Sequence, residues 1–153
     1  MRTVSGIEVT TVSTTAQFPV GEKFSVAQPA SDFPAQTWIY VKAIDAFAVA
    51  DIVMLDVAAL GKAHGLQSTT TAQYSGKILG VAQHVIALGS FGFIQCGGVG
   101  EIKTTGTIGV GIGIIDSTTV GTGTAAGAIS QAVVAVAIDA TGSPRTALIL
   151  CNH

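Results

Sequence analysis

The chain has 153 residues, with seven basic, nine acidic and nineteen glycine residues and a formal net charge of −2. Charged residues make up 10% of it, where an average soluble domain carries roughly 25%, while hydrophobic residues reach 48% and mean hydropathy is +0.60. Intrinsic disorder is excluded, because it needs low hydrophobicity and high net charge. So is a positive footprint for a phosphate backbone, and no nucleic-acid partner is expected.

The opening MRTVSGIEVTTVSTT lacks the apolar run of a secretory signal, so synthesis that ends in the cytoplasm is expected. Further on, apolar runs are broken within about ten residues, short of the roughly 18 that a membrane helix needs, and no membrane partner is expected. Residues 1–34 hold three of the four prolines (Pro19, Pro29, Pro34) and three of the six phenylalanines (Phe18, Phe24, Phe33), with no sustained strand or helix period. Proline fixes φ and biases its predecessor toward extended backbone. This stretch reads as an extended N-terminal arm ahead of a β-rich body over 35–153. Its rings need burial, against the body of the same chain or against a neighbour.

From Trp38 onward the signals are those of short strands. In WIYVKA, Trp38, Tyr40 and Lys42 share one side and Ile39 and Val41 the other; IVMLDV at 52–57 is a second run, begun by a turn at Asp51. QSTTTAQYS at 67–75 reads as an exposed polar loop. KILGVAQHVIAL at 77–88 gives two pieces around Gly80. FGFIQC and EIKTT read as two strands separated by Gly97, Gly98 and Gly100, where glycine allows the positive φ of a turn or bulge. In TIGVGIGII at 107–115, period two puts Gly109, Gly111 and Gly113 on one face and Ile108, Val110, Ile112 and Ile114 on the other. AISQAVVAVAIDA at 128–140 is read as a strand with Ala132, Val134, Val136 and Ile138 on one face, and TGSP leads into a last hairpin partner, RTALILCN. Turn signals every 8–15 residues predict an all-β fold with a compact barrel-like or sandwich-like body. Between Thr104 and Ile138 the only charged residue is Asp116. Surface this poor in charge is kept soluble most simply by burial in an oligomer.

Candidate chemistry is sparse. GTGTAAG at 121–127 has G-x-G-x-x-x-G spacing and precedes a segment that favours strand, so no helix N-terminus would cradle a phosphate and no cofactor is expected. His64, His84 and His153 stand at no metal-ligand spacing, Asp51 and Asp56 fall on opposite faces of a strand, and no Gly-x-Ser-x-Gly elbow occurs. No catalysis and no metal are expected; a small hydrolase or ligand-binding module using His84 and Asp139 is the weaker alternative. Phe91 and Phe93 read as core. Cys96 and Cys151 lack CxxC spacing and a neighbouring His, which speaks for small buried hydrophobes, with a disulfide between them left open.

The order AIDAFAVADIVMLD, GKILGVAQHVIALGSFGFIQCGGVGEIKTTG, TIGVGIGIID and AISQAVVAVAIDATGSPRTALIL resembles the small head decoration, or capsid cement, proteins of tailed bacteriophages. The shared steps fall at Gly80-Val81-Ala82, at Gly89 to Gly97 and at Val134 to Gly142, and the likeness covers roughly 43–150. Ala50 departs from it, standing where a glycine before the aspartate is expected. The resemblance implies a virion protein on the capsid exterior, assembled in the host cytoplasm. It implies a homotrimer whose partner is the major capsid protein, with an arm reaching over neighbouring capsid subunits. On that reading Phe18, Phe24 and Phe33, with Pro19 and Val20, are the capsid-facing anchors. Another virion component, such as a head fibre base or a tail-associated protein, is the alternative within the same class.

Overall fold

In the computed structural model the described residues are 2–3, 7–27, 35–56, 64–67, 78–127, 133–140 and 142–151, and all of them are strand, turn or loop. The strands are β1 (Arg2–Thr3), β2 (Lys23–Val26), β3 (Gln36–Ala43), β4 (Ile52–Leu55), β5 (His64–Gln67), β6 (Ile78–Val81), β7 (Phe91–Ile102), β8 (Gly113–Asp116), β9 (Gly123–Ala125), β10 (Ala135–Ala137) and β11 (Arg145–Leu150). They pair as one sheet in the order β1-β2-β3-β5-β4-β6-β7-β11-β10-β8-β9. The protein is therefore all-β, as its sequence predicts, although the sheet as a whole stays open between β1 and β9. A further pairing of β3 with β7 rolls the first half back on itself, and a parallel bridge between Thr104 and Gly123 returns β9 to the chain leaving β7.

Each rolled half encloses its own apolar cluster. One gathers Ile39, Val41, Phe47, Val53, Ile86 and Ile94; the other gathers Ile52, Val81, Ile102, Ile114, Ala147 and Ile149. The alternation read in WIYVKA holds. Ile39 and Val41 enter the first cluster, while Trp38 and Tyr40 point the other way into an aromatic layer with Phe24 and Phe93.

β7 belongs to both halves, which corrects the expectation of two strands split by glycines. Residues 91–102 form one strand whose register against β3 shifts between Thr37 and Trp38, and Gly98 takes a φ of 88° at the bend. The bulge re-aims the strand instead of ending it. Gln95 is buried there, and its Nε2 donates to the carbonyls of Gly97 and Val99 at 3.0 and 2.9 Å, so the side chain supplies donors to carbonyls of the irregular backbone.

Three other expectations change. Gly80 does not divide 77–88 into two strands; it lies within β6, where a Cβ would collide with the backbone carbonyl of Gln95. The alternation in 107–115 breaks, because Gly109–Ile112 is a turn and β8 starts only at Gly113, so no glycine-lined face forms. In the last hairpin the inward residues are Ala135 and Ala137, one step out of phase with the period read over 128–140, of which 128–132 lie outside the described residues. β10 lies between β8 and β11 and pairs with both.

Where it is described, the stretch expected as an arm lies along the body of its own chain. β2 pairs with β3, Ser13 bridges Phe91, and the Gln17 amide donates to the Tyr40 hydroxyl at 3.0 Å. Pro29, Phe33 and Pro34 lie outside the described residues. On the far side, Arg145 is buried and fastens loops distant in sequence. Its guanidinium donates to Thr104 Oγ1 and the Ile108 carbonyl at 2.8 Å each and to the Gly142 carbonyl at 3.0 Å.

Candidate interaction surface

One local motif is used five times. The amides of Glu22, Asp51, Ser90, Ile112 and Thr122 each donate to the carbonyl three residues back, closing β-turns that begin at Pro19, Ala48, Ala87, Gly109 and Thr119. The third turn residue has positive φ in every case: 94° at Gly21, 67° at Ala50, 79° at Gly89, 79° at Gly111 and 72° at Gly121. A positive φ there alone defines a type II turn. Each turn runs straight into a strand, respectively β2, β4, β7, β8 and β9. The sequence carries this as a short repeat, FPVG, FAVA, IALG and IGVG, with TTVG as a fifth and looser copy. The repeat is too short to be found by composition or by strand period.

The motif sorts side chains by position. The residue before the turn points inward in four copies: Phe47, Ile86 and Ile108 are buried and Phe18 is half-buried. The second turn residue is Val or Leu every time, exposed at Val49, Leu88, Val110 and Val120 and packed against the apolar clusters at Val20. A type II turn projects this side chain away from the strand it introduces. Leu88 is 67% exposed, Val110 63% and Val120 54%; Val49 is also exposed, and Val20 half-buried.

Neighbouring turns merge. Residues 43–51 run antiparallel to 82–90 through the Phe47–Ile86 bridge and the Gly89 amide, which donates to the Ala43 carbonyl at 2.9 Å. The exposed positions of this ribbon are Ala46, Ala48, Val49, Val85, Ala87, Leu88 and Gly89, with Val85 65% exposed. The Val120 turn adjoins its end, since the Ile52 amide donates to the Gly121 carbonyl at 2.9 Å. Beneath that corner Asp51 is buried and held, its carboxylate accepting from the Ala48 amide at 2.7 Å and from Lys103 Nζ at 2.5 Å. Asp51 is thus turned inward and paired at this corner, while Asp45 on the same ribbon is half-buried.

No family model and no curated protein matches the chain. Among solved structures, a match is the head fibre gp8.5 N base of bacteriophage phi29, 13% identical with a TM-score of 0.48, covering 76% of this chain and 94% of that chain.

The candidate anchors of the N-terminal stretch divide. Phe24 is 2% exposed, and Phe18 lies edge-on to both Phe24 and Tyr40 at centroid distances of 5.2 and 5.3 Å. Of the two fates open to these rings, both have taken burial in their own chain, and Phe24 presents no surface to a partner. Pro19 is exposed and Val20 half-buried, and the two form the first of the five turns. Phe33 lies outside the described residues. Phe93 is buried and Phe91 half-buried, as the core reading has it.

His84 and Asp139 share no hydrogen bond. Neither imidazole nitrogen finds a partner among the described residues, and burial lowers the His84 pKa. One Asp139 oxygen accepts from the Thr146 amide at 3.0 Å and the other has no hydrogen-bond partner. Of His64 only the backbone is described, and His153 lies outside the described residues.

Proposed function

We propose that this is a structural virion protein that decorates and stabilises a phage capsid, binding as a homo-oligomer across neighbouring major capsid protein subunits. The supporting observation is the exposed aliphatic group of Val49, Val85 and Leu88 on one ribbon, with Val120 on the adjoining turn. Large apolar side chains grouped in the open mark a surface that meets other subunits. The order of sequence steps resembling head decoration proteins supports capsid protein as the partner.

In this reading the anchors are the turn residues, Pro19 and Val20 among them, instead of the rings of Phe18 and Phe24. Each contact is modest, and affinity comes from several turns and several copies engaging together, which raises effective concentration. No catalysis is part of the proposal. The test is co-sedimentation with empty capsids beside light scattering of the free protein. Wild type is expected to form a trimer or another closed oligomer and to bind. The double variant Val85→Asp, Leu88→Asp is expected to lose at least tenfold in capsid affinity with its melting temperature unchanged, since both side chains lie in solvent. A wild type that is monomeric at high concentration and does not sediment with capsids overturns the reading.

A further inference from the structure

Two cysteines far apart in sequence lie at one end of the β7–β11 ladder, where Cys151 Sγ also lies 4.0 Å from the Val134 carbonyl. The register of that ladder pairs Ile149 with Gly98 and Leu150 with Gly97, so the next step sets Cys151 opposite Cys96. Alternation gives them a common face: Ala147 and Ile149 point inward on β11, two residues apart, and Cys151 continues the series. Cys96 belongs to the first apolar cluster together with Ile94, and Cys151 packs against that same cluster and the second one. Both are free thiols. Facing residues in an antiparallel pair have Cα atoms about 4.5–5.5 Å apart, inside the range a disulfide spans.

We infer that Cys96 and Cys151 are a latent disulfide site, closed by a small-molecule disulfide oxidant and opened by a dithiol. Nothing in this chemistry depends on where the protein acts. Cys151, half-buried where Cys96 is buried, reacts first: its thiolate attacks one sulfur of oxidised glutathione, the glutathione S–S bond breaks, and one glutathione leaves as thiolate and takes up the proton Cys151 gave. The Cys96 thiolate then attacks Cys151 Sγ and releases the second glutathione, which takes the Cys96 proton. Two protein thiols are oxidised by two electrons, and one glutathione disulfide is reduced to two thiols.

Burial sets the rate. It raises the Cys96 pKa, and it pushes that of Cys151 up to about 12, with the nearby Cys96 adding to the shift. Since the thiolate is the nucleophile, closure is slow at neutral pH and speeds up with alkalinity. Once formed, the bond would tie the end of β11 to the bend of β7, at the seam between the two clusters.

The test is intact mass and thiol counting on the folded wild-type protein held with oxidised glutathione at pH 7 and pH 9. The expected product has lost two hydrogens and carries no glutathione, and an unreduced digest joins the Cys96 and Cys151 peptides. It forms faster at pH 9 and melts roughly 5 °C or more higher, as a cross-link closing a long loop should. Dithiothreitol reverses it. Cys96→Ser is expected to stop at a stable glutathione adduct on Cys151. The inference is overturned if wild type accumulates that adduct with Cys96 still reduced, or links into disulfide dimers. It is equally overturned if wild type stays reduced over a time in which the denaturant-unfolded chain oxidises fully.

Discussion

Ala50 occupies a conformation that the other four turns give to glycine. Its φ of 67° costs an L-residue roughly 1–2 kcal/mol, yet its methyl group is fully buried, which returns about 0.8 kcal/mol. These terms nearly offset, so Ala50→Gly is expected to stay within about 1 kcal/mol of wild type. Ala50→Val, which puts a branched Cβ in the left-handed region, is expected to lose about 2 kcal/mol or more. Urea midpoints of the pair check this. The sequence shows the anomaly, an alanine in a glycine's place, and the structure shows that the turn is kept unchanged. Arg145 was not legible in the same way, because its acceptors at Thr104, Ile108 and Gly142 come together only when the second half closes. His84 gives a pH dependence. Its folded pKa lies below the unfolded 6.5, so as pH falls through 6.5 the unfolded chain takes up a proton that the folded chain does not, and stability drops until the folded pKa is reached. His84→Leu is expected to flatten stability between pH 7 and 5.5 relative to wild type, measured by denaturant melts; identical slopes would refute the assignment.

The elements were legible where period two runs uninterrupted. WIYVKA gives the correct two faces of β3 because each side meets a different apolar layer, and RTALIL gives β11 because Ala147 and Ile149 alternate into the core against less buried neighbours. Reading failed at glycines, because a glycine signals either a turn or a close approach, and only tertiary contact decides between them. Gly80 and Gly109 are the contrasting pair. At Gly80 a Cβ would strike the backbone of Gln95 on β7, which cannot yield without shifting the strand, whereas at Gly109 it would meet only Ile112 Cγ1 at 3.5 Å. Gly80→Ala is expected to cost about 2 kcal/mol or more, from strain of the kind overpacking produces. Gly109→Ala should fall within about 0.5 kcal/mol of wild type, as surface changes do. Thermal melts of the two variants side by side decide whether β6 and β7 are as close as described.

At the scale of the whole molecule, the scarcity of charge acquires a location. The sequence places the deficit between Thr104 and Ile138, and Val110, Ile112, Val120 and Val133 are indeed exposed there, but Leu88 and Val85, the two most exposed large hydrophobics among the described residues, lie outside that window. They were hidden because exposure of Leu88 follows from turn geometry and that of Val85 from the ribbon pairing at Phe47–Ile86, neither of which composition encodes. Association through such a surface has a distinctive response to salt. Ion pairs between exposed groups weaken once the Debye length shrinks to about 3 Å near 1 M salt. Contacts between aliphatic side chains do not, and sulfate strengthens them by being excluded from the surface. Assembly of this protein, with itself or with capsid, is therefore expected to persist in about 1 M sodium chloride, to tighten in ammonium sulfate and to weaken on cooling. Sedimentation equilibrium across those three conditions is the check. Dissociation by sodium chloride alone would locate the contacts on the few charged residues, and the turns would then not be the surface through which the protein assembles.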